Sequence, residues 1–266
     1  IIRWSVLLVT ALGFQATAAI CTWDGSESYD YSDSANWVDD TPPRSGVWNY
    51  YYDTAVFGAT ATPGTVLLTS TKDLGKVLFE TPGWTIDENG GSFDEVARLN
   101  STASGTNYLN IGFNLSDDTA NTWTLEPDSV IVLRDGYYTR NRTVTLEGGG
   151  TIELESRIGG YGSGTFGFVV NSGLFKTNQS DPFAGPVSGD AYVAIGATDG
   201  KIQIQNTVAG VNSMISNGEI LDNVGNGLEV TDLQNGYVEV TSIPEPGSLS
   251  LALLVLALAW VRRLRC

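Results

Sequence analysis

The sequence predicts an all-β body held between two apolar termini, and three observations predict it. Short segments of β-branched and aromatic residues with near-alternating polarity recur through the middle of the 266-residue chain. Turn formers separate them: Asn89-Gly90-Gly91, Asp135-Gly136, Gly148-Gly149-Gly150, Asp199-Gly200, Asn217-Gly218, Asn226-Gly227 and Asn235-Gly236. Helical periodicity is absent outside the two termini. A solenoid whose coils stack strand on strand would need many short strands and Asn/Gly corners of this kind. Antiparallel pairing of the same strands into a β-sandwich or jelly roll fits them as well.

The first element, residues 1–18, reads as a secretory signal peptide. Arg3 precedes the apolar stretch Trp4 to Phe14, and Ala16-Thr17-Ala18 offers a small-x-small cleavage site. The chain begins at Ile1, so further residues are expected before it. Lipid attachment at Cys21 would need a small residue just before it, and Ile20 is not small, so Cys21 is expected to be an ordinary thiol. Cys266 lies in the C-terminal tail, which leaves one cysteine in residues 19–243 and no intrachain disulfide there.

Residues 22–57 come next and carry bulky side chains that suit a cap. An open stack of coils exposes strand edges and a hydrophobic core at its end, and Trp23, Trp37, Val56 and Phe57 are placed to cover them. The order Thr22-Trp23-Asp24-Gly25, Ser34-Ala35-Asn36-Trp37, Pro42-Pro43 and Asp53-Thr54-Ala55-Val56-Phe57 resembles the entry segment of autotransporter-associated β-strand repeat proteins. That resemblance implies a right-handed parallel β-helix with an N-terminal cap, in a family of surface-architecture proteins mostly without an identified active site. An aromatic insertion, Trp48 to Tyr52, departs from the family pattern. In an extended strand Trp48, Tyr50 and Tyr52 share one side, which makes them tentative glycan contacts as well as candidates for loop packing.

The strand segments then follow. Thr65 to Thr69, Lys76 to Phe79, Tyr108 to Phe113, Val130 to Leu133, Thr143 to Leu146 and Thr151 to Leu154 come first. Lys201 to Gln205, Glu219 to Leu221, Leu228 to Thr231 and Tyr237 to Thr241 follow, recurring every 9 to 18 residues. Val144, Leu146, Ile152 and Leu154 point to one face, while Thr145, Glu147, Glu153 and Glu155 point to the other. Two phrases echo each other: Tyr108-Leu109-Asn110-Ile111-Gly112 and Tyr192-Val193-Ala194-Ile195-Gly196.

Charge and residue inventory narrow the function of this body. Of the 14 Lys plus Arg and 30 Asp plus Glu in the chain, 10 and 29 lie in residues 19–243, a net charge of −19. Such a surface repels nucleic acid and anionic polymers and suits neutral glycans or cations. The chain has no histidine, which removes Ser-His-Asp and Cys-His nucleophile systems. Carboxylate chemistry remains: Glu153 and Glu155 have the spacing of a glycosidase pair, and Arg134, Arg140, Arg142 and Arg157 cluster in sequence with Asp128 and Asp135 nearby, the base and calcium-binding acids that a polysaccharide lyase would need. Both sets fit solvated strand faces equally well. Asp30, Asp33, Asp39 and Asp40, and Asp117 with Asp118, are oxygen-rich enough for calcium, but none fits an EF-hand or a nonapeptide calcium repeat. No residue is assigned as catalytic, cofactor-binding or metal-ligating.

Residues 244–266 form the last element. Pro244-Glu245-Pro246 precedes the apolar run Gly247 to Val261, about 22 Å long as a helix against roughly 30 Å of bilayer hydrocarbon, and Arg262, Arg263 and Arg265 follow. The arginines favour a cytoplasmic C-terminus, which places the body outside the inner membrane. This triplet, hydrophobic segment and basic end resemble the PEP-CTERM sorting signal of exopolysaccharide-producing bacteria. The resemblance implies that a membrane protease-transpeptidase, exosortase, recognises and removes the tail. The expected protein is therefore a non-enzymatic, exported surface or matrix component associated with exopolysaccharide. A glycan-binding module and a carbohydrate-active enzyme, lyase or glycosidase, are the alternatives.

Overall fold

The computed structural model describes residues 18–44, 53–115, 121–135, 137–139, 142–160, 166–183 and 191–244. Its strands wind into a β-solenoid of about six turns. Strands from successive turns pair in parallel, which rules out the sandwich and jelly roll, both built on antiparallel pairing.

Each turn offers up to three strand-bearing faces. On the first face Ala55 pairs with Val77 and Val77 with Leu99, and further along Trp123 pairs with Leu146, Leu146 with Val170 and Val170 with Ile195. The step from turn to turn along this ladder is 22 to 25 residues. On the second face the ladder runs Val66, Ile86, Leu109, Leu133, Leu154, Thr177 and Ile204. Every one of these residues is buried. Strands alternate sides with a period of two, so one inward residue per pair stacks on its equivalent above and below, and each fully buried aliphatic side chain contributes about 1.5–3 kcal/mol. The third face is shorter, with Phe93 to Leu115 pairings and strand Tyr137–Thr139 on Ile158–Gly160.

The expected strands are largely present. Thr151–Leu154 is found unchanged, and Arg142–Glu147, Ser129–Leu133 and Leu228–Asp232 extend the expected segments by one or two residues. Tyr108 to Phe113 divides into Gly105–Asn110 and Phe113–Leu115, because the chain turns a corner at Ile111 and Gly112. The echo between residues 108–112 and 192–196 is not a structural repeat: the first phrase begins on the second face and the other lies on the first. The 9-to-18-residue recurrence is the distance between neighbouring strands rather than the length of a turn.

Helical structure is also present in the body, against expectation. Helix α1, Val208–Asn217, is capped by Thr207, whose hydroxyl accepts from the Gly210 N–H at 3.1 Å, and ends at Gly218 with φ +79°. It buries Val211 and Met214 against the core. Beyond it, strand Ile220–Asp222 continues the first face, while Val238–Ser242 pairs antiparallel with the last strand of the second face and with Leu228–Asp232. Among the described residues no helix is long and apolar enough to cross a membrane. The expected signal peptide, apart from Ala18, and the apolar segment 247–261 lie outside the described residues.

Candidate functional site

The N-terminal end of the stack holds the densest cluster of specific interactions. Strand Ile20–Thr22 pairs with Thr54–Phe57 on the first face. On the second face the Tyr31 N–H donates to Leu67 O at 2.9 Å and the Leu67 N–H to Tyr29 O at 2.7 Å. Residues 20–31 therefore form a partial turn laid over both leading edges. The turn is shaped by the buried Asn36, whose Oδ1 accepts from the Glu27 and Ser28 N–H groups while its Nδ2 donates to Asp30 O and Ser28 Oγ. Beneath it Trp37 meets Trp23 edge to face at 5.2 Å and Tyr31 at 4.9 Å, and Phe57 stacks on Phe79 at 5.6 Å. Val56 and Phe57, expected in the cap, belong instead to the first complete turn.

Asp53 fastens this segment down. Its carboxylate is 1% exposed and accepts from the Ala19 N–H at 2.7 Å, the Arg44 N–H at 2.8 Å and the Arg44 guanidinium at 2.9 and 3.0 Å. Burial pushes its pKa up, but the hydrogen bonds from Arg44 and from the two backbone N–H groups outweigh this and hold it below the ordinary value. Nearby, burial raises the Cys21 thiol, with Asp53 adding to the rise and Arg44 opposing it, so Cys21 is a protonated core residue at neutral pH.

Beside this cluster a groove of about 460 Å³ opens between residues 23–29 and the corner 60–65. The buried rings of Trp23 and Trp84 contribute to its wall, and Tyr29, 69% exposed, stands on it. Trp84 Nε1 donates to Thr81 Oγ1 at 2.9 Å, whereas among the described residues Trp23 Nε1 makes no hydrogen bond. Gly25, at φ +57°, lies over that nitrogen: a Cβ there would come within 2.8 Å of it, so glycine leaves the N–H uncovered. Asp24 is the one charged residue on the wall.

The residues singled out in the sequence fall elsewhere. Pro244 is exposed just after the last strand, while Glu245, Pro246, Arg262, Arg263 and Arg265 lie outside the described residues, as do Trp48, Tyr50 and Tyr52. Glu153 and Glu155 sit on the outside of the second face, each paired with a cation from a neighbouring turn. Lys176 Nζ is 2.8 Å from Glu153 and Arg134 Nε 2.9 Å from Glu155, and the Arg134 guanidinium also lies 4.2 Å over the Tyr108 ring. The hydrogen bond that Lys176 donates to Glu153 raises the pKa of Lys176. Of the acidic loops, Asp30 accepts from the Ser32 N–H and Thr69 Oγ1, and Asp33 from the Ala35 N–H. Arg140, Asp117 and Asp118 lie outside the described residues. Among the described residues no group of three or more Asp, Glu or Cys is placed to hold a metal ion. The groove was not legible in the sequence, because its walls come from segments about 35 and 60 residues apart; the exposed Tyr29 and the neighbouring Trp23-Asp24-Gly25 were the only local signals.

Fold and site together define a β-solenoid with extra structure at both ends of its stack. No protein-family model, curated protein or solved structure matches the chain.

Proposed function

We propose that the protein is an exported structural component of a bacterial surface or extracellular matrix, delivered by exosortase-dependent processing of its C-terminal tail. The observation that carries the structural part is the closure of the stack: residues 18–44 lie over its leading edges, and α1 with the antiparallel strands Leu228–Asp232 and Val238–Ser242 lies over its trailing end. A stack so finished neither grows nor pairs by its edges and works as a rigid spacer. The right-handed winding implied by the family resemblance accords with the strong preference of parallel crossover connections for that hand. The sorting part rests on Pro244-Glu245-Pro246, the apolar run and Arg262, Arg263 and Arg265. Intact-mass analysis of the protein from the matrix of its native host is expected to show loss of the tail from near Pro244. Mature surface protein that still carries Arg262 to Cys266 would defeat the sorting reading, and protein confined to the cytoplasm would defeat the whole.

A further inference from the structure

We infer that the groove beside Trp23 and Tyr29 is a binding site for a neutral saccharide chain. The first ground is the composition of its wall. Tyr29 is the one aromatic residue more than a third exposed among those whose side chains are described, and it stands on a concave surface rather than on an open strand face. An aromatic face against the apolar C–H face of a sugar ring buries area on both without stripping hydroxyls of water.

The second ground is an unfulfilled donor. Trp23 is 98% buried as a whole residue, but its indole N–H makes no hydrogen bond among the described residues and is not one of the buried polar groups left without a partner, so it reaches the groove as an open donor. Gly25, which also lines the groove, leaves that nitrogen open. A sugar hydroxyl can accept from it in place of water. Asp24 Oδ1 already accepts from the Ser26 N–H at 3.1 Å, and its other oxygen is available to accept from a second hydroxyl. Thr60 Oγ1 donates to Trp23 O at 3.1 Å, which leaves its lone pairs free to accept.

The third ground sets the charge of the ligand. The wall holds no Lys or Arg, its single charge is the Asp24 carboxylate, and the chain carries −16. Phosphates, sulfates and uronates find no counter-charge there, so the chain that fits is uncharged. Binding in vitro does not depend on sorting, so either outcome leaves the tail reading where it stands.

Affinity electrophoresis tests this on the full chain, kept soluble in a polyoxyethylene-ether detergent that itself carries no sugar. Native gels contain hydroxyethyl cellulose, galactomannan or dextran, with alginate as the anionic comparison. The expected result is retardation by at least one neutral polymer and none by alginate. Tyr29→Ala weakens it roughly tenfold, Tyr29→Phe preserves it and Thr62→Trp, which fills the groove, abolishes it. Since Tyr29 is exposed, its loss leaves the core intact. Unchanged mobility in all three neutral gels, retardation by alginate alone, or equal retardation of the wild type and Tyr29→Ala would each overturn the assignment.

Discussion

Asp53 shows how one buried charge organises the start of the stack. It joins three stretches of chain, Ala19, Arg44 and the entry to strand Thr54–Phe57, and its backbone carbonyl also accepts from the Gly75 N–H at 3.2 Å. Arg44 is itself largely exposed, so the strength of the clasp lies in the satisfied carboxylate and the two backbone donors it would otherwise strand. Because the folded carboxyl is held below its ordinary value of 3.8, the native state binds fewer protons than the unfolded chain. The stabilisation is therefore complete above that value and is lost as pH falls through the lowered folded pKa. Asp53→Asn is expected to cost about 2 kcal/mol at neutral pH. In thermal melts run from pH 7 to pH 2.5 the gap between wild type and variant should close below about pH 4; a constant gap would show that the charge contributes nothing.

Along the strand elements, alternation was legible and periodicity was not. Val144, Leu146, Ile152 and Leu154 are inward and fully buried as their spacing requires, because a strand's period of two survives in any sheet. The turn length stayed hidden because the corner between the first and second faces takes seven residues at 58–64 but three at 148–150, which blurs any fixed repeat. Helix α1 escaped because only Val211 and Met214 of its ten residues are buried, and Asn217-Gly218 marks a helix end as well as it marks a turn. The corners carry their own constraint. Gly148, Gly149 and Gly173 all have φ near +90°, and a Cβ on Gly173 would collide with the Gly150 carbonyl of the turn before. Gly90 has a similar φ but nothing within 4 Å. Gly90→Ala should therefore cost only the strain of about 1 kcal/mol, and Gly173→Ala about 3 kcal/mol or more. Urea denaturation of the two variants measures the difference; equal midpoints would mean that the turns are not as closely stacked at this corner as described.

For the whole molecule the ends matter most, since a parallel stack presents unpaired backbone wherever it stops. Residues 20–22 and 29–31 occupy the leading edges, and the aromatic cluster of Trp23, Tyr31 and Trp37 covers the core that those edges frame. Deletion of residues 18–44 is expected to leave β-type circular dichroism but to cause concentration-dependent association, read by light scattering; a monomeric variant with unchanged spectrum would deny these residues a protective role. The trailing end has a different character. Ile243 still donates its N–H to Gly227 O at 2.9 Å, and Pro244 follows at once, so the chain leaves the last strand with no spacer. On the sorting reading, that makes the attachment point a stiff foot rather than a leash. Six steps of about 4.8 Å raise the opposite end roughly 29 Å along the stack axis. The Tyr29 groove then stands at the far end of a short post, about six turns from the processed terminus.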